Sequence, residues 1–448
     1  MSRSHSRSAS VVEGVSDVTD GDLRVNHELG CNGGLNGGEV THDGGALSLV
    51  MRWAAKTSMW RSSRTSSFIR RRFRILQRRR AIGSTLCALA IGMGFLSAST
   101  PAGATPHWSS VATNSGGHKV IDNFLYSVSC VSIDSCVAAG WRGTLHFTAT
   151  LIESWNGATW SVVPSPNDTT NDAFEAVSCV SSTFCMAVGS TRRHSLVESW
   201  NGSRWSIVAS PGKNHSVLDA VSCVSTNFCT AAGYRGQPES SLIESWDGTS
   251  WSIAPSPEID GRNLLGGVSC VSAEFCTAVG WTNTQTLIES WDGASWSIVL
   301  SPNSGTYPLL NAVSCTSGTS CVAVGWTYEG SLIELWDGTS WSIVPSPNSG
   351  GGPNFLYGVS CFTASSCTAT GWYGTENLIE SWDGTTWSIV ASPDYGFVSA
   401  NQLSSVSCPS ANFCATVGAY VTSGGVNQTL IESWANSAWS IVPSPNHE

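Results

Sequence analysis

A repeated segment of this sequence carries one glutamate per copy, and paired carboxylates are the usual acid and base of glycoside hydrolysis. Such catalysis needs two carboxylates in unlike environments, whereas one glutamate repeated seven times predicts a structural role, such as accepting backbone or tryptophan N–H bonds. Acids in the less regular segments differ more in their surroundings, but nothing in the sequence pairs them. We therefore predict no catalytic residue, and a carbohydrate-active hydrolase or lyase using the irregular acids is the alternative. The repeated glutamates are Glu153, Glu198, Glu244, Glu289, Glu334, Glu380 and Glu432, and the irregular acids are Asp168, Asp172, Asp260 and Glu329.

Aromatic residues supply a second candidate chemistry, because in five of the seven copies one directly follows a glycine that ends an apolar run. Exposed rings arranged in a circle would suit stacking against the apolar faces of sugars, with neighbouring polar groups making hydrogen bonds. The alternative is that these rings fill the space between neighbouring repeat units. The predicted ligand-binding residues are Trp141, Tyr234, Trp281, Trp326 and Trp372.

Fourteen of the 16 cysteines form seven Cys-x5-Cys pairs, one in each copy. The constant spacing lets the two thiols face one another across a hairpin, so we predict a disulfide in each copy. Free buried thiols are the alternative. A zinc site is not expected, because no histidine recurs with the pairs, and we predict neither a metal nor a cofactor. The predicted bridges join Cys130 to Cys136, Cys179 to Cys185, Cys223 to Cys229, Cys270 to Cys276, Cys315 to Cys321, Cys361 to Cys367, and Cys408 to Cys414.

The elements that position these residues follow from the period of 44 to 49 residues between the first cysteines of successive copies. Each copy contains four strand-length runs bounded by turn residues, and an Asp-Gly or Asn-Gly pair such as Asp247-Gly248 marks a hairpin between the third and fourth runs. A repeat of this length with four strands is typical of one propeller blade. We predict an all-β fold over 105–448, a seven-bladed β-propeller of four-stranded antiparallel blades with a disulfide inside each blade.

One stretch of the repeat resembles a known family. The segment Leu332-Ile-Glu-Leu-Trp-Asp-Gly-Thr-Ser-Trp-Ser-Ile-Val-Pro-Ser-Pro347, preceded by Val322-Ala-Val-Gly-Trp326, is similar to the kelch repeat. The chain departs from that repeat in its paired cysteines and in having Gly followed by an aromatic where kelch has two glycines. It also looks like the cysteine-paired repeat proteins that bacteria export. The resemblance implies a propeller and by itself implies no chemistry.

The seven copies differ from one another only in certain connections. The distance from cysteine to cysteine and from the third-strand glutamate to the fourth-strand tryptophan is constant, whereas the second-to-third connection and the connection between copies vary in length. In an antiparallel meander the two variable connections emerge on one face and the two constant turns on the other. We expect recognition on the variable face. The tryptophan strand occurs eight times, so either Trp108 or Trp439 must close the ring.

The N-terminal region has the composition of an export signal. Arginines at 70–80 precede an apolar run that ends at Ala102-Gly103-Ala104, so we interpret 70–104 as a signal peptide and 1–69 as disordered or upstream of the true start. An uncleaved segment anchoring the protein to a membrane is the alternative. After cleavage no further insertion into the membrane is expected, and eight Lys and Arg remain against 25 Asp and Glu, a formal charge of −17.

The charge and the cysteines together restrict the function. A surface this acidic disfavours nucleic-acid binding, which needs a basic phosphate-contacting patch. Paired cysteines in an exported chain predict disulfides and therefore an extracellular location. We expect a secreted, monomeric, non-catalytic binding propeller whose partner is a glycan or an extracellular or cell-surface protein.

Overall fold

The computed structural model describes residues 121–446 apart from 145–146, 214, 351–352 and 396–399. Within these residues the chain forms 28 β-strands in seven sheets, and each sheet holds four consecutive strands paired antiparallel in chain order. The predicted seven-bladed propeller is confirmed. The predicted signal peptide at 70–104, residues 1–69 and Trp108 lie outside the described residues.

The four strands of a blade differ in length and in place. The first strands are β1 (Asp122–Ser132), β5 (Ala173–Ser181), β9 (Val217–Ser225), β13 (Asn263–Ser272), β17 (Leu309–Ser317), β21 (Asn354–Thr363) and β25 (Asn401–Ser410). The second strands are β2 (Ser135–Gly143), β6 (Phe184–Ser190), β10 (Phe228–Arg235), β14 (Phe275–Thr282), β18 (Ser320–Thr327), β22 (Ser366–Tyr373) and β26 (Phe413–Val421).

The third strands carry the repeated glutamate and the fourth strands begin at or next to a tryptophan. The third strands are β3 (Thr148–Trp155), β7 (Ser195–Trp200), β11 (Ser240–Trp246), β15 (Thr286–Trp291), β19 (Gly330–Trp336), β23 (Glu376–Trp382) and β27 (Asn427–Ala435). The fourth strands are β4 (Trp160–Val162), β8 (Trp205–Ile207), β12 (Trp251–Ala254), β16 (Trp296–Ile298), β20 (Trp341–Ile343), β24 (Trp387–Ile389) and β28 (Ala438–Ile441).

First strands lie innermost, since each packs against the first strands of both neighbouring blades around the whole ring. The fourth strands form the outer edge and are only three or four residues long, which limits edge-to-edge pairing with other chains. The core lies between blades. For example, Ile243 of blade three packs with Leu265, Leu287 and Trp296 of blade four.

The cysteine spacing sets the register of the inner hairpin. Cys223 and Cys229 are direct partners across β9 and β10, and the same pairing of cysteines recurs in every other blade except the seventh, where the register shifts next to the cysteines. All seven predicted disulfides are formed, with Cα atoms 4.0 to 4.1 Å apart. The prediction of intra-blade bridges is confirmed.

The third and fourth strands are joined by a tight turn, as predicted. In blade three the carboxylate of Asp247 accepts hydrogen bonds from the backbone N–H groups of Thr249 and Ser250 at 2.8 Å, and Gly248 has a φ of 95°. These bonds lower the pKa of Asp247 to about 2, with the hydroxyl of Thr249 the largest contributor. The amide oxygen of Asn156 makes the same backbone contacts in blade one. The recurrent aspartate is therefore a turn residue.

The ring closes without exchanging a strand between its ends. Trp439 lies in β28, which pairs with β27 of its own blade, so this tryptophan completes the seventh blade. Blade one is likewise built from one continuous stretch of chain. The closing interface is an ordinary blade interface, in which Leu125 and Leu151 pack with Val417 and Ile431.

Candidate functional site

The propeller has one constant and one variable face, as the connection lengths predict. On the constant face the Trp246 indole N–H donates a 3.0 Å hydrogen bond to the carbonyl of Thr226, so the two short turns of a blade lie together. On the opposite face the N–H of Asn263, the first residue of β13 after the connection between blades, donates a 2.9 Å bond to the carbonyl of Glu239, in a second-to-third connection. Both variable connections therefore emerge on one face.

The seven repeated glutamates are fully buried and hold neighbouring blades together. In each case the serine hydroxyl of the Ser-Pro pair that follows the preceding blade donates to the glutamate carboxylate, with distances of 2.8 to 3.1 Å. The last bond, from Ser444 to Glu153, joins blade seven to blade one. The other pairs are Ser165 with Glu198, Ser210 with Glu244, Ser256 with Glu289, Ser301 with Glu334, Ser346 with Glu380, and Ser392 with Glu432.

Burial strongly changes the acidity of these carboxyls. Loss of solvation raises their pKa from an ordinary 4.5 to about 7 in five of them and to about 8 in Glu198 and Glu432. The hydrogen bond from the serine hydroxyl acts in the opposite direction and lowers the pKa. A perturbed pKa is a frequent mark of an active site. Here the same environment recurs in every blade, and the carboxyl is closed off from solvent, so the groups serve the blade interface.

The structural role predicted for these glutamates is confirmed, but the partner is different from the one expected. The indole N–H groups of the third-strand tryptophans donate to turn carbonyls, as Trp155 does to Ile133 at 2.9 Å. The glutamates accept serine hydroxyls from the preceding blade, and Glu244 also accepts a backbone N–H bond, from Gly212 at 3.1 Å. The sequence did contain a signal for this contact, because a serine precedes the proline in every copy. Proline alone is enough to end a strand, so the repeated serine indicates a further role.

A second ring of hydrogen bonds joins the inner strands. The backbone N–H of each first-strand cysteine donates to the hydroxyl of the serine that precedes the cysteine in the neighbouring blade, at 3.0 Å in all seven cases, and the bond from Cys130 to Ser407 closes the circle. An innermost strand has no partner on its axial edge, so these hydroxyls satisfy N–H groups that would otherwise be unpaired. The Val-Ser-Cys motif is thus structural.

Three of the five glycine-following aromatic residues, Tyr234, Trp281 and Trp326, take part in packing that spans two blades. Tyr234, Trp326 and Trp372 are buried, and Trp141 and Trp281 are half-buried. Trp372 stacks on Phe355 of its own strand pair with ring centroids 4.6 Å apart. Their burial favours the alternative in which the rings fill the space between blades, and a ligand-binding role for them stays a prediction.

The glycine before each ring has a packing reason. A Cβ at Gly233 would lie 2.1 Å from the carbonyl oxygen of Val217, closer than any side chain allows. The same close approach recurs at the equivalent glycine of every blade. The Gly-aromatic pattern therefore arises from the close contact of the first and second strands.

Two pairs of tyrosines lie on the variable face, in or next to the irregular connections, and the repeat pattern did not single them out. Tyr307, in the connection from blade four to blade five, is 60% exposed and packs edge-on against Tyr328 of blade five, with centroids 5.2 Å apart. Tyr395 and Tyr420, before and within blade seven, stack at 4.1 Å. Only the folded chain shows these pairs, because 21 and 25 residues separate their members.

One further variable position lies inside the otherwise constant first strand. A β-bulge in each first strand places one residue outside the backbone register with the second strand, and the identity of this residue varies among the blades. Bulges often mark functional positions because they redirect a side chain. Comparing the residues that lie four positions before the first cysteine of each copy would have revealed this variable position. The bulge residues are Tyr126, Glu175, Asp219, Gly266, Asn311, Tyr357 and Ser404.

Three of the four irregular acids have defined partners within their loops or in a neighbouring loop. Asp172 is buried and accepts backbone N–H bonds from Asp168 and Thr169 at 2.6 and 2.8 Å. Asp168 lies 3.2 Å from the imidazole of His194. The Glu329 carboxylate accepts the N–H and hydroxyl of Thr306, and these bonds hold its pKa at about 2. In addition to burial, Asp172 raises the pKa of the nearby Glu198, but both carboxyls are buried and therefore closed to a substrate.

No family model matches the chain, and neither does any curated protein. Solved structures with similar folds include YCF48 from Cyanidioschyzon merolae, with 14% identity, a TM-score of 0.48, and 70% of this chain and 96% of that one covered. Others are YCF48 bound to D1 peptide, with 14% identity, a TM-score of 0.41 and coverage of 62% and 86%, and the WD40 repeats of RRP9, with 12% identity, a TM-score of 0.47 and coverage of 67% and 88%. The membership in the kelch family that the sequence suggested stays a prediction.

Two observations bear on the compartment. Seven disulfides are typical of proteins in an oxidising, extracellular environment. None of the described residues belongs to a helix that is long and apolar enough to cross a membrane.

Proposed function

We propose that this protein is a secreted, non-catalytic propeller that binds a protein partner through its variable face. The observation that supports this most strongly is the pair of tyrosine clusters there, Tyr307 with Tyr328 and Tyr395 with Tyr420. Tyrosine is enriched in protein interfaces because it offers a large, rigid contact area and a hydroxyl at low entropic cost. Connections on this face vary in length and composition while the framework beneath them is constant.

The recurrent groups that could have carried chemistry have structural roles. The buried glutamates bind serines of the adjacent blade, the turn aspartates bind their own turns, and the cysteines are oxidised. A glycan partner was expected if the glycine-following rings were exposed. Since three of them are buried, a protein is the better-supported partner.

The test is a screen of the purified, oxidised protein against a displayed peptide library and a glycan array. Any ligand is then measured against two variants of matched size. The first is Tyr307→Ala with Tyr328→Ala on the variable face, and the second is Ile133→Ala with Phe362→Ala at exposed positions of the constant-face turns. We expect the first variant to weaken binding by about tenfold or more and the second to have little effect.

Two results would overturn the proposal. Binding that depends on the constant-face residues would place the site on the other face. Selective binding of neutral glycans with no peptide ligand would make the protein a lectin, and the half-buried rings of Trp141 and Trp281 would then be the first to substitute.

A further inference from the structure

Four of the few cationic residues lie in or beside the variable-face connections of blades two and three. The last Lys or Arg in the sequence is Arg262, so blades five to seven contain none. Arg192 and Arg193 lie in the second-to-third connection of blade two, Lys213 in the next connection between blades, and Arg235 at the end of β10. All four side chains are exposed.

Backbone contacts bring these connections together. The N–H of His215 donates a 2.9 Å hydrogen bond to the carbonyl of Arg193, which holds the connection containing Lys213 beside that of blade two. Lys213 and Arg235 then line the same cleft, whose volume is about 470 Å³. The cleft is lined by the connection between blades two and three and by the second-to-third connection of blade three, so neither connection forms it alone.

The cleft carries positive charge without an internal counter-ion. Among residues 121–446, excluding the gaps in the described chain, none of the four side chains forms a hydrogen bond or an ion pair. The neighbouring acids have other partners, since Glu239 binds Arg262 at 2.9 Å and Asp168 binds His194 at 3.2 Å. None of the nine residues that line the cleft is acidic.

The walls of the cleft are partly apolar. Pro211, Pro238 and the exposed Ile253 lie beside the two cations, and the amide of Gln237 adds a group that both donates and accepts hydrogen bonds. This combination suits a ligand that has carboxylates next to aliphatic groups. A small inorganic anion would use only the charges, and a neutral sugar would use neither the charges nor an aromatic platform.

We propose that this cleft binds an acidic peptide segment of the partner, with carboxylates at Lys213 and Arg235 and apolar side chains against the proline and isoleucine wall. The inference rests on the proposed protein-binding function. Because the chain after residue 104 has a formal charge of −17, an acidic segment is repelled by most of the surface and attracted to this cleft. The charge pattern thereby fixes the orientation of the partner on the face.

The test is fluorescence anisotropy of a labelled peptide of glutamates flanked by leucines, with the glutamine version of the peptide as the neutral probe. The proteins are wild type, Lys213→Gln with Arg235→Gln, and Arg142→Gln with Arg204→Gln. The last variant matches the change in net charge, with substitutions outside the cleft. We expect the cleft variant to bind the glutamate peptide about tenfold or more weakly than wild type, and the control variant to differ from wild type by less than about twofold. Binding of the glutamate peptide to wild type should weaken as the salt concentration increases.

Each contrary outcome identifies a distinct error. Equal losses in both variants would show a response to net charge alone, and equal binding of the two peptides would show that carboxylates are not recognised. Heparin binding without peptide binding would replace the peptide by an anionic glycan. If a partner found through the variable face still bound the cleft variant with unchanged affinity, this inference would fail while the proposed function would stand.

Discussion

The ring of buried glutamates predicts that Glu289→Gln changes how stability depends on pH. Glu289 has no exposed surface and accepts the Ser256 hydroxyl at 2.9 to 3.0 Å, and burial raises its pKa from 4.5 to about 7. A raised pKa means that the folded chain holds the proton more tightly than the unfolded chain does. The resulting stability is fully present below pH 4.5 and is lost as the pH rises through 7.

The magnitude follows from the size of the shift. A shift from 4.5 to about 7, at 1.36 kcal/mol for each pKa unit, corresponds to about 3 kcal/mol between pH 4 and pH 8 as an upper limit for this carboxyl. Glutamine is neutral and nearly the same size as the protonated glutamic acid, so the variant should not lose stability on ionisation. Relative to wild type, Glu289→Gln should therefore become more stable as the pH rises, by up to about 3 kcal/mol.

The assay is denaturant unfolding of the oxidised protein at several pH values from 4 to 8. Glu329→Gln is the control, because the exposed Glu329 has a pKa lowered to about 2 and so stays ionised in the folded chain throughout this range, while in the unfolded chain it is ionised above about pH 5. The difference between the control and wild type should stay constant from pH 5 to pH 8. The reasoning would be refuted if the difference between Glu289→Gln and wild type were independent of pH, or if the glutamine variant lost stability as the pH rose.

Three further predictions concern packing, turns and bridges. Replacing Trp281, Trp326 and Trp372 together by Ala should lower the melting temperature sharply, since truncating a buried aromatic costs about 3 to 5 kcal/mol, and an unchanged melt would show that the rings are dispensable for packing. Gly293→Val should cost about 1 kcal/mol or more in denaturant melts because φ is 93° there, whereas Asp292→Asn should cost little, and the reverse order would contradict the turn assignment. Mass spectrometry without reduction should recover the seven intra-blade disulfides, and bridges between blades would disprove the register.

The sequence by itself determined the architecture, because the information is local and repeated seven times. A cysteine six residues from the next places the two thiols opposite one another across a short hairpin, as Cys223 and Cys229 show. An Asp-Gly pair determines the outer turn through backbone geometry. Constant and variable spacings separated the two faces, since successive connections of a meander alternate between them.

The tertiary structure decided the partners and the burial. Ser256 and Glu289 are 33 residues apart, and Ser444 and Glu153 are 291 apart, so their contact exists only when adjacent blades pack. The same packing buries Trp372, which the sequence pattern alone could have placed on the surface. It also brings Lys213 and Arg235 into one cleft. Local sequence specifies the direction and spacing of a strand, but solvent exposure and pKa depend on the neighbouring surface, which the sequence of one repeat does not contain.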